Sequence, residues 1–203
     1  MQAEGALLQP VTIRRGFPPE QRAQAARIYW EAFGGKLMRV MGPDERALAF
    51  LERGLKPDHC WSALDGAGQL IGLAGYKTPY GSFSGGSRRD LNRVYGRFGA
   101  AWRAGLLRLL ASEIDNHRFL IDGIAVTRHA RGQGVGQALL GALYREARGR
   151  GYAAIRLEVV DTNARARALY DREGFAPVAT DRLGLLRYAF GFSSATTMVR
   201  VLD

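Results

Sequence analysis

Two stretches decide the fold: Phe119-Leu120-Ile121-Asp122-Gly123-Ile124-Ala125-Val126 and, four residues on, Arg131-Gly132-Gln133-Gly134-Val135-Gly136. The first is an apolar run of strand length, and the glycines of the second mark a loop. Working outward, residues 135–148 place Leu139, Leu140, Leu143 and Ala147 on one side of a helix. Ala154-Ile155-Arg156-Leu157-Glu158-Val159-Val160 is a second strand. Asp161-Thr162-Asn163 then caps a helix running to 173, and Gly174 is placed to end it in a left-handed conformation. Such a β-α-β-α core requires a parallel strand pair joined by a crossover, which puts the chain in the α/β (α+β) class.

The remaining elements build onto this core. Val11-Thr12-Ile13-Arg14-Arg15 alternates like a half-buried strand. Pro18-Pro19-Glu20 suits a first helical turn, and Ala23, Ala26, Ile28, Tyr29 and Phe33 give that helix an apolar side before Gly34-Gly35, which is expected to stop it. A second helix is expected at 44–55, where Leu48, Leu51 and Leu55 recur at helical spacing. Strands at 60–64 and 70–76 flank the turn Asp65-Gly66-Ala67-Gly68 as a hairpin. Residues 79–87 have loop composition, and 91–111 are expected to be helical, with Trp102, Leu106, Leu107, Leu109 and Leu110 as anchors. The tail, 176–203, alternates weakly and is expected to add a final pair of strands. With no repeat or linker in sight, residues 1–203 read as one domain with a helical insertion around 79–118.

Composition narrows the chemistry. At 203 residues the chain is long enough to bury a sizeable core. It has 29 Lys and Arg against 19 Asp and Glu, a net charge of +10, and only Lys36, Lys56 and Lys77 are lysines. Arginine's planar fork suits phosphates and carboxylates, although, with Ala and Gly abundant too, the bulk of the bias reads first as genomic codon usage. Residues 88–118 carry seven Arg against three acids, which reads first as an ordinary helix with a solvated face. Cys60 is the single cysteine, so an intramolecular disulfide is excluded, and His59, His117 and His129 are too scattered for metal-ligand spacing. No signal-peptide pattern or membrane-length apolar run is visible, so a cytoplasmic location without a membrane span is expected.

The loop at 131–136 follows a strand and opens a helix, where free amides and the helix dipole favour an anion such as phosphate. Its G-x-G-x-G spacing fits neither the dinucleotide fingerprint, which needs G-x-G-x-x-G, nor the Walker loop, which needs G-K-[ST]. Taken alone, the loop reads equally as a ligand cradle or a tight turn.

The surrounding pattern is more specific. Arg131-x-x-Gly134-x-Gly136 after Ile124-Ala125-Val126, then Leu157-Glu158-Val159, Asn163, Ala168-Leu169-Tyr170 and Gly174-Phe175, resembles the GNAT superfamily of N-acetyltransferases. The resemblance covers about residues 119–177, and locally it is most similar to the ribosomal-protein alanine acetyltransferases. It implies a mixed central sheet flanked by helices, with a parallel strand pair splayed around CoA. It also implies that Ile124, Ala125 and Val126 pair with the pantetheine arm of acetyl-CoA. The amides of Gly132, Gln133, Gly134, Val135, Gly136 and Gln137 would hold the pyrophosphate, with Arg131 beside them. Asn163 would meet the pantetheine or a water near it, and Tyr170 would protonate the departing thiolate.

Acyl transfer to an amine needs a proton acceptor and benefits from an acid at the leaving sulfur. Glu158, on the strand before the helix of Tyr170, is the leading candidate base, and Asp122, on the preceding strand, is the reserve. By resemblance, Glu158 matches the acidic residue that the alanine-acetyltransferase pattern places twelve residues before the Tyr. Asn163 and Tyr170 are two helical turns apart and share one side of their helix. The expected activity is therefore N-acetylation of a primary amine, on a small molecule or a peptide, by direct attack in a ternary complex without a metal. Three other expectations are carried beside it: an acetyltransferase of aminoacyl-RNA, an RNA-associated protein, and a non-catalytic CoA-binding regulator. Residues 79–118 are expected to line the acceptor pocket, cover it or mediate a homodimer.

Overall fold

The computed structural model describes residues 10–109 and 117–202. Among these residues eight strands form one sheet: β1 (Thr12–Arg15), β2 (Cys60–Leu64), β3 (Leu70–Thr78), β4 (Gly81–Ser82), β5 (Phe119–Val126), β6 (Ala154–Val160), β7 (Ala176–Arg182) and β8 (Ser194–Val201). Their order is β1-β2-β3-β5-β6-β8-β7, with the short β4 paired to the end of β3. Every pairing is antiparallel except β5 with β6, which is parallel as the β-α-β core demands.

Among the described residues, six helices cover the two faces. On one lie α1 (Arg22–Met41), α2 (Asp44–Gly54), α3 (Arg88–Leu109) and the short α6 (Arg187–Phe190). Their apolar faces meet in a cluster that includes Tyr29, Val40, Phe50, Leu91 and Phe190. On the other lie α4 (Val135–Gly149) and α5 (Ala164–Arg172). Leu139, Leu140 and Leu143 of α4 are fully buried there, against Ile155 and Leu157 of β6. Truncating any one of these leucines to Ala would cost about 2–5 kcal/mol.

Four sequence expectations change. The first helix does not stop at Gly34-Gly35: α1 runs on to Met41 and ends where Gly42 precedes Pro43. An interior glycine costs a helix only about 1 kcal/mol, and burying Val40 and Met41 outweighs that. Gly34 also lets the Trp30 ring lie across the helix, since a Cβ there would sit 2.9 Å from Trp30 Cε2. The expected helix at 91–111 begins three residues earlier, because Ser87 and Asp90 form a reciprocal cap: Asp90 N–H donates to Ser87 Oγ (3.2 Å) and Ser87 N–H to Asp90 Oδ2 (3.0 Å). It also breaks at Gly96 (φ 70°), and its expected end at 110–111 lies outside the described residues. The loop at 79–87 contains the two-residue β4 and the fully buried Phe83. The tail does supply two strands, but α6 separates them and β8 inserts between β6 and β7.

Candidate active site

The parallel pair is short. β5 and β6 are paired only at Phe119↔Ile155 and Leu120↔Arg156. Beyond that point β5 stays with β3 up to Gly72↔Val126, while β6 stays with β8 up to Val160↔Ala195. The strands therefore part, and the β6-facing edge of β5 from Ile121 onward has no strand partner. Two residues past the last pair, Asp122 and Glu158 hold corresponding positions on either side of the gap. Asp122 is the extra residue of a bulge, since Gly75 pairs with Gly123 and Tyr76 with Ile121. Such a bulge re-aims the side chain it carries.

Both carboxylates line a cavity of about 900 Å³ on the face covered by α1, α2 and α3. Its walls are apolar, with Trp30, Phe33, Phe50, Leu91 and Leu107 among them, and its sheet side carries Lys77, Asp122, Arg156 and Glu158. The two acids differ in how fully they are engaged. Asp122, 5 % exposed, accepts from Ser84 N–H (2.8 Å) and Ser84 Oγ (2.7 Å) and pairs with Lys77 Nζ at 3.3 Å. Glu158, 32 % exposed, is held through one oxygen by Arg156 (2.9 Å), and its other oxygen has no partner among the described residues. Burial, and after it the negative charge of Asp122, pushes the pKa of the nearby Tyr29 hydroxyl well up, so that phenol stays neutral. Lys77, Ser84 and Arg156 were not singled out from sequence. Lys77 is one of three lysines and falls at the end of an apolar strand, which was the available signal.

The glycine loop and α5 lie on the opposite face. Gly132 (φ 81°) and Gly134 (φ 79°) both adopt the left-handed region that glycine tolerates. The first amide to enter the backbone ladder of α4 is Ala138, on Gly134 O at 2.9 Å. The amides of Gly132, Gln133, Gly134, Val135, Gly136 and Gln137 have no backbone acceptor among the described residues, which leaves a cradle of donors at a helix N-terminus. Arg131 donates through Nε to Val126 O (3.0 Å), tying the loop to the end of β5, and Gln133 Nε2 donates to His129 O (2.7 Å). Ile124 and Val126 pack on this face, whereas Ala125 packs on the other.

Asn163 is the N-cap of α5, its Oδ1 accepting from Ala166 N–H at 3.1 Å. Tyr170 lies on the same helix with its ring packed near Phe175, at 5.7 Å between centroids. Its hydroxyl has no hydrogen-bond partner among the described residues, and the residue is buried. Burial, then the neighbouring Tyr144, pushes its pKa up to about 12, so it holds its proton throughout the neutral range. The structure thus brings Asp122 and Glu158 into one cavity. Tyr170, Asn163 and the loop sit outside that cavity, across the gap between β5 and β6.

The chain's single thiol is inert. Cys60 is buried, and desolvation with the charge of Asp58 raises its pKa to about 12, which keeps it a thiol. His59 lies away from this site, its Nε2 bonded to Thr78 Oγ1 at 3.1 Å. Among the described residues, no group of three or more His, Cys, Asp or Glu is placed to hold a metal ion, and no helix is long and apolar enough to cross a membrane.

A mixed sheet that opens between its one parallel pair, beside a glycine loop rich in free amides, is suited to an extended, phosphate-bearing ligand. The chain belongs to the acetyltransferase (GNAT) family, whose sequence model matches residues 22–175. No curated protein sequence matches it. Among solved structures it is similar to "histone acetyltransferase HPA2 and related acetyltransferase" from Corynebacterium glutamicum, at 21 % identity over 95 % of this chain and 97 % of that one, with a TM-score of 0.64. It is also similar to an N-acetyltransferase from Staphylococcus aureus, at 16 % identity over 93 % of this chain and 100 % of that one, with a TM-score of 0.63. The ribosomal-protein-S18-alanine N-acetyltransferase from Escherichia coli matches at 19 % identity over 96 % of this chain and 95 % of that one, with a TM-score of 0.52. At these identities the likeness is one of fold. The ribosomal-protein alanine acetyltransferases do not stand out from the rest, so the local sequence similarity to them does not extend to a subfamily.

Proposed function

We propose that the protein acetylates a primary amine by direct attack on acetyl-CoA, with Glu158 as proton acceptor and Tyr170 as proton donor. The observation that carries this reading is the parting of β5 and β6, with the two carboxylates facing across it and the free amides on its far side. The donor set fits the cosubstrate: six unengaged amides at a helix N-terminus suit a pyrophosphate, and the unpaired edge of β5 at Ile124 and Ala125 suits an amide-bearing arm. Arg131 contributes its two terminal nitrogens, since only its Nε is engaged. Asn163 spends its side-chain oxygen on the cap and offers its amide nitrogen.

Acetyl-CoA, when bound, supplies an activated acyl group on sulfur. The chain's residues manage the protons on either side of that exchange. Glu158 takes a proton from the incoming ammonium through its free oxygen, leaving the nitrogen lone pair to bond to the acyl carbon. Tyr170, protonated and unengaged, delivers its proton to the sulfur as the carbon–sulfur bond breaks; the acylated nitrogen sheds its second proton to solvent, from which the Tyr170 phenolate is reprotonated. Asp122 has three interactions to give up before it can accept a proton, so it serves to fix Lys77 and Ser84. The test is release of free thiol from acetyl-CoA with a panel of amines, alongside a binding titration. Amine-dependent thiol release is expected; a protein that does not bind acetyl-CoA would overturn the reading.

A further inference from the structure

The charges around the acceptor cavity call for a more specific acceptor. Five cationic side chains line it against three carboxylates. Lys77 is paired with Asp122 and Arg156 with Glu158, which leaves Arg88, Arg108 and Arg182 facing Asp181 alone. A surplus of positive charge repels polyamines and lysine-rich peptides, the acceptors that an acidic cleft would draw. An acceptor that carries its own negative charge suits this surround.

Arg156 and Glu158 show where that charge belongs. They project from the same side of β6 two residues apart, and their charged groups touch at 2.9 Å. Of the Arg156 guanidinium only Nη2 has a partner among the described residues, and Nε is buried with none. A planar fork with one bond made is well suited to a carboxylate, which it can meet in two parallel bonds. Glu158 keeps one oxygen free for a cation beside it. A cation and an anion in adjacent positions are the complement of a zwitterion whose ammonium and carboxylate sit on one carbon. The rest of the cavity is apolar and lined with aromatic rings, with room for a large side chain.

We infer that the acceptor is an α-amino acid with a large apolar side chain, its carboxylate held by Arg156, its amine by Glu158 and its side chain between Trp30, Phe33, Phe50 and Leu107. This rests on the proposed assignment of the cavity as the acceptor site. Arg156 is then a specificity-determining residue, and the rim arginines supply the favourable potential.

The experiment is calorimetric titration of phenylalanine, leucine, phenethylamine and spermidine into protein saturated with CoA, so that no turnover occurs. Phenylalanine is expected to bind at least about tenfold more tightly than phenethylamine, the yield of one charge-assisted carboxylate contact. Arg156→Met should erase that difference by weakening phenylalanine, while phenethylamine should bind no more weakly than before, because Glu158 loses its competing cationic partner. Arg156→Lys, which keeps the charge but loses the fork, should fall between. Should Arg156→Met fail to fold, the comparison of phenylalanine with phenethylamine on the natural protein decides. Equal or tighter binding of phenethylamine or spermidine overturns the inference, as does no binding of phenylalanine. Phenylalanine that binds but is not acetylated when acetyl-CoA is supplied would refute the acetyl-transfer reading and leave this site standing. Acetylation of spermidine but not phenylalanine would do the reverse.

Discussion

Replacing Tyr170 by Phe removes one oxygen and nothing else, and the structure fixes what that should do. The hydroxyl bonds no described residue, so its loss orphans no donor or acceptor. The ring keeps its packing near Phe175. Deleting an unbonded hydroxyl leaves no partner unsatisfied, so stability should shift by no more than about 1 kcal/mol, or roughly 2–4 °C in Tm for a chain of this size. Catalysis should respond quite differently. Loss of a positioned general acid lowers turnover by about 10²–10⁴-fold, so kcat should fall by that factor while acetyl-CoA affinity stays unchanged. The assay is steady-state thiol release with a saturating amine, run beside calorimetric titration of acetyl-CoA and a thermal melt. An unchanged kcat would refute the acid role. A melt lowered by 5 °C or more would show that the hydroxyl has a structural partner, and the reasoning from its free state would be wrong.

Three further outcomes follow from the same geometry. Glu158→Gln should reduce kcat by about 10²–10⁴-fold with little change in Tm, whereas Asp122→Asn, which strips Lys77 and Ser84 of a buried charged partner, should lower stability by about 1–3 kcal/mol; thermal melts and kinetics on the two variants separate base from support. Gly75→Ala should be poorly tolerated, because its Cβ would stand 2.2 Å from the Phe83 ring; overpacking of this kind costs about 1–3 kcal/mol, a fall of roughly 3–10 °C in Tm, and an unshifted melt would contradict the close approach. Tyr144 and Tyr170 have pKa values raised by burial to about 12, and Tyr29 is raised too. Above pH 10 the unfolded chain ionises these phenols first, so their contribution is complete below that value and is lost as pH climbs toward 12. Denaturant midpoints should therefore fall between about pH 10 and 12, and a flat profile would show that the phenols are not desolvated.

The core of the fold was legible because it is written in local signals. The apolar runs at 119–126 and 154–160, the glycine loop between them and the Asn163 cap each specify their own geometry, and all four appear in place. What sequence obscured depends on partners distant in the chain. Gly34 reads as a helix stop until Trp30 is seen lying across it. Ser87 and Asp90 form a capping box whose helix starts within a glycine- and serine-rich stretch, so loop composition masked it. At the site, Glu158 and Asp122 could be nominated by residue type and spacing. Their rank could not, because it turns on Ser84 and Lys77 saturating one acid while Arg156 leaves the other half free. The bulge at Asp122 needs the β3 register to be seen at all.

The central claim is that acetyl-CoA lies in the gap between β5 and β6, with its reactive end at the cavity. A crystal structure of the complex with acetyl-CoA tests it most directly. The pyrophosphate is expected on the amides of Gly132 to Gln137, the sulfur within hydrogen-bonding reach of the Tyr170 hydroxyl, and the acetyl group directed toward Glu158. A complex with the pyrophosphate elsewhere, or with the acetyl group turned away from the cavity that holds Glu158 and Arg156, would contradict it.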